Sequence, residues 1–494
     1  MFKKIDFTSY KTILFAALIF RLLSAIFSEG YGMHDDHFLI VEAASSWSDG
    51  YDYNNWLPWS PDSRGVPDGH SFTYVGVNYL FFVVFKFLGI TDPGVLMIFN
   101  RIFHALFSML VVYFGIKITE KLAGRQNAVT VGWLLALLWI MPFLSVRNLV
   151  EMTSIPFLMW GVWLLVQEKN KKAFLYAGLL MGMAVSFRYQ IGVFAVGIAA
   201  YYFFRWQWKS FLLFCAGVLV TFALTQGIVD YFIWGYPFAE FLGYVVYNMH
   251  EGTEYMANNN YFMYFYVLFG VLLVPLGILA AIGFFRSARK YWLLFLPVML
   301  FILFHTVYPN RQERFVLTVF PLVVILAVIG FEGLKQKAFW KKSWRFGWIS
   351  FWVLNVPLLL FFSFTSSKKS RVEAMYALYD QDTDYENILL EASGGESKVS
   401  MMPKFYAGSW YCGFTERGDA AQSLEVKPGA KYDYIFFFGE EKLAQRVKEY
   451  QAIYPGMKCL KKCDPSSIDK LLHTLNPRNS NEYIEVWRTY TKRN

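Results

Sequence analysis

The sequence predicts a polytopic α-helical membrane bundle followed by a small soluble α/β domain. Three observations carry this. The 494 residues are 56% hydrophobic and 20% aromatic but only 17% charged, against about 25% charged in soluble proteins. Apolar runs of membrane-spanning length recur up to residue 364, whereas residues 365–494 are polar and mixed. Lysine and arginine gather in short loops between the runs, as the positive-inside rule expects. The net charge of +9 therefore reads as topology, and nucleic acid is not expected as a partner. Four cysteines are too few for a disulfide framework.

Runs of roughly 17–25 apolar residues are long enough to cross a bilayer. On that basis spans are expected at 12–28, 95–116, 128–144, 153–167, 173–187, 190–204, 210–229, 262–284, 291–305, 316–334 and 346–364, about eleven in all. Lys3, Lys4 and Lys11 precede the first run without a small-residue cleavage site, which reads as a retained first helix. The apolar run 72–90 is set aside as an interfacial or re-entrant helix in a long first outer loop, about 29–94. If it crossed, the clusters Lys117/Lys121/Arg125, Lys169/Lys171/Lys172, Arg205/Lys209, Arg286/Arg289/Lys290 and Lys335/Lys337/Lys341/Lys342/Arg345 would all lie opposite the basic N-terminus.

Most ionisable residues that do not set topology then fall on the outer face. They lie in the loop 29–94, the turn Ser145 to Glu151, Ser186 to Gln190, the loop 230–261, and Tyr308 to Phe315 with His305 just before it. That asymmetry puts the chemistry outside the cytoplasm. In the tail, Ile388-Leu389-Leu390 and Tyr434 to Phe438 read as short strands, and Glu440 to Tyr450 as an amphipathic helix. The expected domains are 1–364 and 365–494. Cys412, Cys459 and Cys463 would meet an oxidising compartment, where one pair could close. Cys215 reads as a buried small residue.

Tyr31-Gly32-Met33-His34-Asp35-Asp36-His37-Phe38, with Glu42 beyond, surfaces directly after the first span. A hydrated loop is the plain reading. A base that takes a proton from an acceptor hydroxyl is the functional one. His34 and His37 with the two aspartates are an alternative metal site, although the spacing is not specific. Arg147, Arg188, Arg311 and Arg314 each lie at the outer end of a span. Snorkelling explains any one of them, but several beside His305 and Glu313 look like an anion site, since guanidinium matches phosphate geometry. Arg21, inside the first span, is expected to pair with an acid or a carbonyl in the bundle. Glu151 reads either as the i,i+4 partner of Arg147 or as a second acid facing the same cavity. Tyr231, Trp234, Tyr236, Tyr261, Tyr264 and Tyr266, with Trp47, Trp56 and Trp59, read as an interfacial belt or as platforms for sugar rings.

In this order the pieces resemble the GT-C glycosyltransferases, and more closely glycosyltransferase family 22, the dolichyl-phosphate-mannose-dependent mannosyltransferases of GPI-anchor and N-glycan assembly. The resemblance covers about residues 10–335. Asp35-Asp36-His37-Phe38 with Glu42 keeps the family's Asp-Glu, aromatic and downstream Glu spacing. Asp230-Tyr231 to Gly235-Tyr236-Pro237, then Asn248 and Gly252, looks like its later luminal loop. Asn310-Arg311-Gln312-Glu313-Arg314-Phe315 is similar to its His-Lys-Glu-x-Arg-Phe motif, and His305 matches a His upstream. Arg147 to Glu151 falls at the second outer loop, where GT-C enzymes often carry an acid. Asp36, Asn310 and Gln312 depart from the pattern, and the tail has no counterpart.

The resemblance implies an inverting membrane glycosyltransferase. It would move a hexose, mannose, from a polyprenyl-phosphate sugar to a glycan or glycolipid acceptor at the bilayer. The unmatched tail suggests a bacterial relative acting on the periplasmic side of the inner membrane, with an undecaprenyl-type donor. Asp35 would be the base, and Arg311 and Arg314 with Arg188 and His305 would hold the phosphate. Asp36 and Glu151 would orient substrate or bind a divalent metal, which the chemistry does not require, and Glu42, Arg147 and Glu313 would also contact substrate. A transporter or flippase for a lipid-linked or anionic solute is the rival. Its charges would sit at mid-membrane with repeat symmetry, and neither is visible.

Overall fold

The computed structural model describes residues 6–168, 170–250, 252, 259–379, 381, 385–393, 401–417, 432–476 and 481–489. Lys3, Lys4, Lys169 and Glu251 lie outside the described residues. The chain forms two compact units, each assembled from separate stretches. One comprises Met1–Ile26, Asn55–Val77 and Arg101–Phe364; the other comprises Phe27–Asn54, Asn78–Asn100 and Thr365–Asn494. The second unit thus takes in parts of the first outer loop as well as the tail.

The first unit is helical, and each expected span interval contains a helix. Among the described residues six helices are long and apolar enough to cross a membrane, or seven if Leu276–Ser287 and Trp292–Val307, which meet at 116°, form one span. The difference from eleven is one of length and continuity. Pro93–Leu137 is broken at Gly124, whose φ of 80° and ψ of 175° separate two helices. Lys172–Phe187 and Ile191–Phe204 have 16 and 14 residues, so they rise only about 24 and 21 Å against a hydrocarbon core of about 30 Å. The run 72–90 forms the 16-residue helix Phe72–Phe87.

Small residues let the helices approach closely, the usual basis of packing inside a bilayer. Where Lys172–Phe187 lies on Trp208–Phe222, a Cβ at Gly178 would come within 3.0 Å of the Gly217 Cα. This contact fixes the helix whose end carries Arg188. Arg21 is buried among carbonyls: its Nη1 donates to Ala136 O at 3.0 Å and its Nη2 to Leu135 O at 3.1 Å, while Nε donates to Ser108 Oγ at 3.0 Å. Of the two expected partners, carbonyls hold it.

The second unit is built on a five-stranded sheet: β1 Asn387–Glu391, β2 Gly413–Arg417, β3 Tyr434–Phe438, β4 Lys458–Cys463 and β5 Ile484–Arg488. The order is β2-β1-β3-β5-β4. β1 runs parallel to β2 and β3, and β5 antiparallel to β3 and β4. β3 reads Tyr-Ile-Phe-Phe-Phe and is buried throughout, as a central strand covered on both faces should be. Leu443–Ile453 packs over it through Val447 and Tyr450, which join Leu389, Ile435 and Phe437 in one apolar cluster. The α/β character expected of the tail is therefore present.

None of the pairs that could close among the tail cysteines is joined: Cys412, Cys459 and Cys463 are free thiols, as is Cys215. Cys412 precedes β2 and the other two tail cysteines lie on β4, the opposite edge of the sheet. Cys459 and Cys463 share one strand, about 13 Å apart at 3.3 Å per residue, beyond the reach of a bridge.

Candidate active site

In the first unit the helix ends expected on the outer face converge on one buried cluster. The helix Val150–Gln167 begins after an extended Leu149, so Glu151 sits in its first turn. Arg188 caps the end of Lys172–Phe187 in an extended conformation. The turn Glu313–Val319 brings in Arg314 and Phe315, and Trp292–Val307 brings in His305 near its end. Glu151 Oε1 is ion-paired with Arg188 Nη1, and Arg314 Nε lies 3.8 Å from the same oxygen. The Arg188 and Arg314 guanidiniums lie 5.2 and 5.7 Å from the Phe315 ring centre. The His305 ring lies 5.8 Å from it. Phe315 is thus a shared apolar wall beneath two cations and an imidazole.

The cluster is incomplete. Glu151 Oε2, Arg188 Nε and Nη2, and His305 Nε2 are buried without a hydrogen-bond partner among the described residues. Buried polar groups are normally paired, so several unpaired ones on one wall mark a place for a polar ligand. Free guanidinium N–H groups in a dry site are suited to an anion.

Two expectations change here. Glu151 pairs with Arg188 and not with Arg147, because Arg147 lies in the turn before the helix starts and no i,i+4 geometry exists. Arg147 is instead buried with its guanidinium 4.3 Å from the Phe143 ring centre. Glu313 is exposed while its neighbour Arg314 is buried, since successive residues of a 3₁₀ turn point about 120° apart. Arg311 is buried beside the cluster. Its Nε donates to Thr306 O at 2.8 Å, and its guanidinium lies 4.3 Å from the Tyr261 ring centre.

The later loop joins this region. The Tyr308 hydroxyl donates to Asn248 O at 2.8 Å, and a Cβ at Gly252 would approach Tyr308 Oη to 2.8 Å, which favours glycine there. Asp230 Oδ2 accepts the Glu240 N–H at 2.9 Å. Glu240, which sequence reasoning passed over, accepts from Gly69 N at 2.8 Å, His70 N at 2.9 Å and Trp234 Nε1 at 2.8 Å. Burial pushes its carboxyl up to about 7, against the backbone and indole N–H groups that favour the charged form. Two of its three partners lie 171 and 170 residues away in sequence and only Trp234 is near, so local pattern gave little sign of it. Tyr231, Tyr236, Tyr261 and Tyr266 are exposed, as a belt would be, whereas Tyr264 is buried against His305.

In the second unit, Asp35 and Asp36 lie in the short helix His34–Asp36. Asp36 is buried and its Oδ2 accepts the Met33 N–H at 3.0 Å, closing its own turn. Asp35 is half-buried. Glu42, expected to touch substrate, is fully buried. It accepts from the Phe405 N–H at 3.1 Å and bonds His37 Nε2 at 3.0 Å, so it positions the loop. His34 stacks on Phe38 while His37 turns to Glu42. The metal site weighed for these residues is not assembled: among the described residues no three His, Cys, Asp or Glu side chains are grouped to hold an ion.

A helical membrane unit joined to a small sheet is the architecture of a GT-C membrane glycosyltransferase, and solved structures share the fold. ArnT from Cupriavidus metallidurans bound to undecaprenyl phosphate superposes with a TM-score of 0.59 at 12% identity, over 96% of this chain and 97% of that one. The oligosaccharyltransferase of Archaeoglobus fulgidus gives 0.54 at 11% identity, over 90% of this chain and 69% of that one. The chain belongs to the Alg9-like mannosyltransferase family, whose profile matches residues 12–403. Alpha-1,2-mannosyltransferase ALG9 of Mus musculus is 25% identical over 146 residues, and that of Homo sapiens 24%. These matches span 26% of this chain and about a quarter, 24%, of the curated relatives. The protein is therefore a multi-pass membrane protein of a glycosyltransferase family.

Proposed function

We propose that the protein transfers a hexose, mannose, from a polyprenyl-phosphate sugar to a hydroxyl of a glycan or lipid-linked acceptor, on the extracytoplasmic face and with inversion. The observation that carries this is the buried Glu151–Arg188–Arg314 cluster, in which the Arg188 Nε and Nη2 have no hydrogen-bond partner among the described residues. In the reaction the acceptor oxygen attacks the anomeric carbon while the bond to the lipid phosphate breaks on the opposite face. The acceptor proton goes to Asp35, and the phosphate's growing charge goes to the guanidiniums, with Arg311 adding to the field. A lipid phosphate held in this way is a fair leaving group, so the scheme needs no metal. Family membership supports the sugar, and the undecaprenyl phosphate bound by ArnT, a protein of the same fold, supports the donor class. Transport is not favoured by either comparison.

Asp35 is assigned as base because it falls at the position of the family's first acid in the resemblance, while Asp36, whose Oδ2 accepts the Met33 N–H, is assigned the orienting role. The test is transfer of labelled sugar from polyprenyl-phosphate mannose to an envelope-lipid extract by purified protein. Asp35→Asn should lower the rate about 10²–10⁴-fold, and Asp36→Asn far less. Loss confined to Asp36→Asn would reverse the assignment. A native protein that carries labelled donor across a reconstituted bilayer but forms no product would refute the enzyme.

A further inference from the structure

His305 sits among arginines, yet its hydrogen bonding does not suit an anion. Nδ1 lies 2.8 Å from the Phe301 carbonyl oxygen one turn back on its own helix. A carbonyl only accepts, so Nδ1 carries the proton, and in the neutral ring Nε2 offers a lone pair. The ring is buried, so Nε2 does not open to lipid, and no partner reaches it among the described residues. It packs against Phe315, the ring that Arg188 and Arg314 also cover, and meets the edge of Tyr264. A phosphate diester brings only acceptors. It satisfies the Arg188 N–H groups and leaves Nε2 empty. A ligand that completes the wall must carry a hydroxyl next to its anionic group, and a glycosyl phosphate does.

We infer that His305 is a specificity residue whose Nε2 accepts a hydrogen bond from a hydroxyl of the donor sugar, while Arg188 and Arg314 hold the adjoining phosphate. The inference rests on the donor reading above and extends it from the phosphate to the sugar.

The test compares binding of undecaprenyl phosphate, undecaprenyl-phosphate mannose and a set of monodeoxy-mannose analogues to detergent-solubilised protein. The native chain should bind one analogue about 5- to 100-fold more weakly than the parent, the range expected when a buried acceptor loses its donor. His305→Phe should bind that analogue and the parent alike, with affinity for sugar-free undecaprenyl phosphate unchanged. His305→Gln, which keeps a carbonyl acceptor at similar reach, should retain a preference for the same hydroxyl and serves if the phenylalanine variant does not fold. The inference is overturned if discrimination persists in His305→Phe, if His305→Gln loses it, or if His305→Phe weakens the sugar-free lipid as much as the mannosylated one. A folded native protein that binds none of these lipids refutes the donor reading itself.

Discussion

Two acid–arginine networks, one in each unit, share a buried carboxylate and differ in how that carboxylate is satisfied. In the sheet unit Glu391 ends β1. Its Oε2 accepts from Arg417 Nη1 at 3.0 Å and from the Tyr450 hydroxyl at 2.5 Å, and its Oε1 accepts the Ser393 N–H at 2.7 Å. Both oxygens are used. In the helical unit Glu151 has one oxygen on Arg188, and among the described residues its other oxygen and two Arg188 nitrogens have no hydrogen-bond partner. A carboxylate with both oxygens used is a component of the fold, even though Arg417 Nε has no partner among the described residues. A carboxylate with one oxygen unused, beside a more deeply buried arginine, is the one a ligand can complete.

The comparison can be broken most directly at Arg188. Arg188→Gln should cost about 10²–10³ in transfer rate, the usual effect of removing a preorganised donor from a developing oxyanion. Arg188→Lys should recover only part of it, because an ammonium lacks the fork. Rates near native in both variants would place Arg188 on the structural side. Glu391→Ala should do the reverse. It strands the half-buried Arg417 guanidinium and the buried Tyr450 hydroxyl and should lower stability by about 1–3 kcal/mol, read as a fall in melting temperature, with undecaprenyl phosphate affinity per folded molecule unchanged.

Glu240 sharpens the contrast within the helical unit, since it is buried yet fully partnered. Its folded pKa of about 7 lies above the ordinary carboxyl value of 4.5 because of burial. The folded state therefore keeps its proton to higher pH than the unfolded chain. The corresponding stability is fully present below pH 4.5 and is lost as pH rises through about 7. Unfolding midpoints should fall over this window in the native chain and flatten in Glu240→Gln. An unchanged slope would mean that Glu240 is not the group responsible.

The members of the buried cluster were partly legible because positive-inside logic makes arginines at the expected outer span ends unusual. That argument selected Arg147, Arg188, Arg311 and Arg314, and all four are buried. It could not say which arginine meets Glu151, because sequence spacing favours Arg147 and tertiary packing chooses Arg188. Long-range partners were equally hidden: Glu42 meets the Phe405 amide across 363 residues, and nothing near either position signals it. The strands and the helix of the tail were readable from hydrophobic pattern, whereas the inclusion of Phe27–Asn54 and Asn78–Asn100 in that unit depends on contacts no periodicity encodes.

The central claim is that the Glu151–Arg188 pair is retained for a lipid phosphate and not for stability. The measurement that tests it is undecaprenyl phosphate affinity, with melting temperature alongside, in Glu151→Leu/Arg188→Met. Replacing a buried ion pair by apolar residues of similar volume is neutral or stabilising by about 1–4 kcal/mol, so the melting temperature should hold or rise. Affinity should fall about 10-fold or more as charge-assisted hydrogen bonds are lost. A folded double variant that binds the lipid as tightly as the native chain would contradict the account.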